Sequence, residues 1–145
     1  MALKNKSIIK FNYHDTNFRV KEALEYKTFL ASVLTQEGVS FNRVEYIFCT
    51  DPFLLTLNKQ YLNHDTYTDI LTFTLSLPKE PVVSEIYISI DRVKENALKL
   101  NVPFIEELSR VMIHGLLHLS GYEDATEHQK AKMRSKEDFY LAQLL

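Results

Sequence analysis

The chain is short of the residues that staple or punctuate a fold. Cys49 is the only cysteine, so a disulfide scaffold is excluded. Tryptophan is absent, and only three glycines and four prolines occur in 145 residues. There is no Gly/Ser/Pro-rich linker, no low-complexity segment and no internal repeat. No apolar run approaches the roughly 18 residues that span a bilayer. Residues 1–7 lack the apolar stretch of an export signal, so the expected location is cytoplasmic, away from the membrane. Surplus charge is lacking too. Seventeen basic and nineteen acidic residues leave a net charge of −2, which gives no general pull toward a polyanion. A polyanionic partner has to be held by a local patch or by a metal.

What is present is an average soluble composition, 46% apolar and 25% charged, at the length of one ordinary domain. Residues 1–145 are therefore expected to form a single α+β domain. Alternation predicts strands over 7–13, through Val44, Tyr46 and Phe48, over 70–77 and over 82–90. Helical spacing predicts a helix over 17–37 that stops at Gly38. A second should open at Asp51-Pro52 with Asp51 as its cap and run to about Asn63. A third, capped by Asp91, should bury Val93, Ala97 and Leu100. Residues 104–119 are apolar nearly all the way round, which marks a central buried helix. The last helix opens with the capping box Thr126-Glu-His-Gln129 and should bury Met133, Tyr140, Leu141 and Leu144. The expected architecture is about four strands in a mixed sheet, packed with about five helices.

The buried helix carries His114 and His118, four residues apart and so on one face. Gly121 follows at the point where positive φ lets the chain fold back, and Asp124 lies three residues further on. The string His114-x-x-x-His118-x-x-Gly121-x-x-Asp124 supplies two nitrogens and an oxygen for one ion, with Glu123 and His128 as competitors for the third place. Three protein ligands and one position left to water describe a catalytic zinc site. A core role for the two histidines would require a hydrogen-bond partner for each in a dry place. The spacing is also that of the metzincin proteases, but their general base follows the first histidine, where this chain has Gly115.

The same string resembles the YbeY family of zinc-dependent bacterial endoribonucleases, the rRNA maturation factors, whose hallmark reads H-G-x-L-H-L-x-G-Y-D-H. His114-Gly115, Leu117-His118-Leu119 and Gly121-Tyr122 are in register with it. Leu57-Asn58, Tyr61 and Thr68-Asp69-Ile70-Leu71-Thr72-Phe73 match a second family segment, so the resemblance runs from about residue 57 to the end. Three departures stand out. Asp124 replaces the usual third histidine, Leu62 replaces an arginine implicated in function, and Ser84 replaces a glycine.

The resemblance implies a single-strand-specific endoribonuclease, a hydrolase holding one zinc ion per chain. Its expected partners are RNA, as ribosomal RNA precursor, and the small ribosomal subunit. The expected roles are 16S rRNA 3′-end processing and ribosome quality control. The alternative is a zinc-stabilised ribosome-assembly factor with little or no nuclease activity. His114, His118 and Asp124 act through the metal on this reading, and Glu123 is a candidate base beside it. His64 is a candidate stand-in for the missing arginine. Positive charge for RNA comes from Lys4, Lys6 and Lys10, or from Lys130, Lys132, Arg134 and Lys136 on the last helix, with Lys130 and Arg134 the chosen substrate contacts. Thr68 and Asp69 are expected to shape a turn or to orient a histidine.

Overall fold

A computed structural model of the protein describes residues 7–64 and 66–144. In chain order the elements are β1 (Ile8–Tyr13), α1 (Ala23–Gln36), β2 (Phe41–Cys49), α2 (Asp51–Leu62), β3 (Ile70–Thr74), β4 (Val82–Ser89), α3 (Ile90–Leu100), α4 (Phe104–Leu119) and α5 (Glu127–Leu144). The expected four strands and five helices are all there among the described residues. They form one mixed sheet in the order β1-β2-β4-β3. β1, β2 and β4 run parallel, because helices separate them in sequence and carry the chain back. β3 reaches β4 through the short turn around Pro78 and Pro81, and so pairs antiparallel at the sheet edge.

Strand alternation decides the two faces. Val44, Tyr46, Phe48, Ile86 and Ile88 point to the main core, shared with Leu30, Val33 and Leu34 of α1 and with α4. Cys49 and Leu71 point the other way, into a smaller cluster with Leu54 of α2. α4 is the central helix, with Leu108, Met112, Ile113, Leu116 and Leu117 fully buried. Gly115 allows its close approach to the sheet. A Cβ there would lie 3.1 Å from Cδ1 of both Ile70 and Ile86. The position that holds a base in the proteases is here a packing contact.

The structure corrects several boundaries and caps. Residues 17–22 are turns and coil rather than helix, so α1 begins at Ala23. β3 ends at Thr74, because the next residues leave the core, and Leu75 and Leu77 are exposed. Thr50, not Asp51, caps α2 by accepting from Phe53 N, which puts Pro52 at the second helical position. Ser89, not Asp91, caps α3 by accepting from Arg92 N. Leu100 is exposed and Leu144 is half-buried. The capping box of α5 forms as expected, with Gln129 N donating to Thr126 Oγ1 and Thr126 N to Gln129 Oε1.

Candidate metal centre

α4 places the two imidazoles one turn apart with their Nε2 atoms 3.0 Å from each other. The helix ends at Ser120, Gly121 takes φ +99°, and Tyr122 N bonds back to Leu117 O. This reversal brings Asp124 Oδ2 to 3.3 Å from His114 Nε2 and 3.5 Å from His118 Nε2. A tetrahedral ion with bonds of about 2.0–2.1 Å holds its ligand atoms about 3.3–3.4 Å apart. The observed triangle is close to that size.

The far side of each ring settles which nitrogen is free. His114 Nδ1 lies 2.7 Å from Glu137 Oε2, and His118 Nδ1 lies 3.0 Å from Tyr122 O. A carboxylate and a carbonyl only accept, so these partners assign the protons to Nδ1. Both Nε2 lone pairs then face one point together with a carboxylate oxygen. Three acceptors converging at these distances repel unless a cation lies among them, so the residues fit a metal. Side-chain exposure rises from 20% at His114 to 32% at His118 and 45% at Asp124, so the triad opens to solvent on the aspartate side. Burial works against a charged His114, but the Glu137 hydrogen bond and charge outweigh it and raise the imidazole pKa. Protons therefore compete with the metal as pH falls.

Glu137 was not foreseen. It is buried on the stripe of α5 between Met133 and Tyr140. A carboxylate at a core position was the one signal the sequence offered. Its second oxygen accepts from Arg110 Nη1 at 2.9 Å, and Arg110 Nη2 reaches Asp138 at 2.6 Å. α4 and α5 are thus joined through the residue that orients the His114 ring.

Three clefts meet at His114 and Asp124. One of 320 Å³ runs along α4 past Arg110 and Glu107 to Asp69. One of 490 Å³ follows β3 past Thr68, Thr72 and Thr74, and also touches His118. A third, also of 490 Å³, follows α5 past Lys130 and Arg134. The basic residues of α5 divide by helical spacing. Lys130 and Arg134 face the triad, whereas Lys132 and Lys136 lie over the Tyr122 ring, each 5.6 Å from its centre. Lys10 is exposed on β1, at the opposite sheet edge from β3; Lys4 and Lys6 lie outside the described residues. His64 is exposed just past α2 and lines none of the three clefts. Leu62 is likewise exposed. Glu123 accepts from Gln129 Nε2 and shares a separate hollow with His128. Neither of these two joins the ligand triangle. Asp69 borders the clefts, and Asn58 Nδ2 donates to Thr66 O in the loop before it.

The loop that carries Asp124 is anchored from behind by Glu37, just past the end of α1. Its carboxylate accepts from Tyr122, Lys136 and Tyr140. Burial pushes the Glu37 carboxyl up, but the hydrogen bonds from Tyr140, Tyr122 and Lys136 outweigh it and leave its pKa below 4.5. A depressed folded pKa stabilises the fold above the unfolded value and loses that contribution as pH falls through the folded value. Glu37→Gln should cost about 1–3 kcal/mol at neutral pH. Urea unfolding of the two proteins should show this gap constant above about pH 5 and closing as pH falls below 4.5. A gap independent of pH would refute the assignment.

A family model described as Endoribonuclease YbeY matches residues 8–145. A protein of that name from Flavobacterium psychrophilum is 50% identical over 131 residues, covering 90% of this chain and 92% of that one. Another, from Cytophaga hutchinsonii, is 43% identical over 140 residues and covers 97% of each chain. The solution structure of a Thermotoga maritima protein superposes with a TM-score of 0.64 at 31% identity, covering 92% of this chain and 86% of that one. With the family model spanning nearly the whole chain and relatives this similar, the chain belongs to the endoribonuclease YbeY family.

Proposed function

We propose that the protein is a zinc-dependent endoribonuclease that cuts single-stranded RNA, with ribosomal RNA precursor as its physiological substrate. The observation that carries this reading is the position of the His114–His118–Asp124 triangle where three open clefts meet. A strand can enter by one cleft and leave by another, so no chain end is needed at the site. Tetrahedral geometry and an N₂O donor set favour zinc. His114, His118 and Asp124 would hold the zinc ion, which would supply Lewis-acid chemistry to a phosphodiester there.

The chain's own residues do the rest. Glu137 and the Tyr122 carbonyl hold the two imidazoles with Nε2 aimed inward. Arg134 and Lys130 border the α5 cleft and hold phosphates of the strand that lies in it. They supply locally the charge that the net balance of −2 does not. Asp124 brings a negative charge where a third histidine would be neutral, so the site would hold one positive charge less than a three-histidine centre.

The test is a circular single-stranded RNA, which has no ends for an exonuclease. Protein stripped by chelator and reloaded with zinc should linearise it, and the stripped protein should not. The same sequence in duplex should resist. Intact circles with zinc-loaded protein would overturn the nuclease reading and leave the zinc-stabilised ribosome-assembly factor in its place.

A further inference from the structure

The α4 cleft holds groups that the metal centre does not use. Glu107, Arg110, His114 and His118 follow one another along a single face of α4. Arg110 is spent on Glu137 and Asp138. Glu107 is only 7% exposed, yet none of the described residues gives its carboxyl a hydrogen bond or an ion pair. It lines the 320 Å³ cleft, and so does Asp69. Burial pushes the pKa of both carboxyls up, and at Glu107 the nearby Asp69 charge adds to this. What remains open of Glu107 faces this cleft, so its carboxyl can take a donor only from solvent or from a molecule bound there. Ile70 and Val111 add apolar wall, and Arg134, at the junction of two clefts, has no ion pair among the described residues.

A second metal ion does not answer this demand. Among the described residues only His114, His118 and Asp124 bring three ligand atoms within 4.8 Å of one another. The cleft asks instead for a flat, partly apolar group with adjacent N–H donors at one end and an anion at the other. Glu107 lies two turns from His114, about 10 Å along the helix axis. A nucleoside monophosphate with its phosphate near the metal and Arg134 spans that distance. Among the bases, guanine presents N1–H and N2–H₂ side by side, which match the two oxygens of one carboxylate.

We infer that this cleft is a guanine subsite, in which the Glu107 carboxylate accepts N1–H and N2–H₂ of a nucleotide next to the cleaved bond, with Asp69 as a further acceptor. The inference rests on the nuclease reading for its place in the reaction, but binding tests it separately.

The experiment is calorimetric titration of the zinc-loaded protein with guanosine, inosine, adenosine and cytidine 5′-monophosphates. Guanosine monophosphate should bind on the order of 10–100-fold more tightly than the adenine nucleotide. Inosine monophosphate, which lacks only the 2-amino group, should lose most of that advantage on the wild-type protein. In Glu107→Gln the guanine preference should vanish with zinc content unchanged. Equal affinity for all four nucleotides, or a guanine preference that survives both changes, would overturn the inference. Cuts in a mixed-sequence RNA should then cluster beside guanines. An absence of cuts with the guanine preference intact would refute the nuclease reading and leave the subsite standing.

Discussion

His118→Ala is expected to remove bound zinc and to lower RNA cleavage by well over 100-fold, with the fold retained. Losing a residue that merely orients a ligand costs about 10–100-fold in metal affinity or activity, so losing a ligand costs more. The remaining pair, His114 and Asp124, offers two atoms 3.3 Å apart and nothing opposite them. His118 is one-third exposed, and outside the triangle its only polar contact among the described residues is with the Tyr122 carbonyl. The carbonyl can turn to water when the ring is gone. Gly121 and the bond from Tyr122 N to Leu117 O still reverse the chain. The thermal midpoint of the metal-free proteins should therefore agree within a few degrees. Elemental analysis of the purified variant beside wild type, with cleavage of a single-stranded RNA, reads both effects. A variant with one zinc per chain and undiminished cleavage would remove His118 from the centre.

The parts of this site that were legible in the sequence are those fixed by local geometry. Four residues of α-helix put His114 and His118 on one face whatever surrounds them. Gly121 marks the reversal because few other residues accept φ +99°. The full-turn apolarity of 104–119 likewise announces a central helix before any partner is known. What stayed hidden depends on packing between distant segments. Glu137 is twenty-three residues beyond His114 and meets it only because α5 folds across α4. Glu107 reads as a first-turn acid placed for the helix dipole, and only the folded structure shows it nearly covered, bonded to none of the described residues and lining a cleft. The capping errors are of the opposite kind. Thr50 and Asp51 are both good caps, as are Ser89 and Asp91, and a shift of one residue in the first pair and two in the second separates them. Asp51 instead accepts from Ser89 Oγ and Arg92, which ties the starts of α2 and α3 together. The apolar alternation overruns β3, since Leu75 and Leu77 continue it past the sheet onto exposed surface.

Glu137 joins the packing of α4 on α5 to the orientation of His114, and substitutions there separate the two. Glu137→Gln keeps the shape but offers one acceptor oxygen where two were used. Either His114 Nδ1–H or Arg110 loses its partner. If His114 loses it, the ring is free to turn and its Nε2 leaves the triangle. Zinc affinity, measured by competition with a chromophoric chelator, should fall about 10–100-fold. Glu137→Leu removes both acceptors and strands Arg110, whose side chain is 18% exposed and then has only the more open Asp138. Breaking a buried pair from one side costs about 3–5 kcal/mol, and the surviving Asp138 contact places this case near about 3. Adding Arg110→Met to Glu137→Leu removes the stranded charge and should return most of that stability, since an apolar pair can replace a buried ion pair. The double variant should still bind zinc weakly, because nothing then holds His114 Nδ1. Recovery of stability without recovery of zinc affinity means that Glu137 acts on the metal through the imidazole and not through the helix packing. If both return together, Glu137 is only part of the α4–α5 interface and His114 is oriented by its own helix.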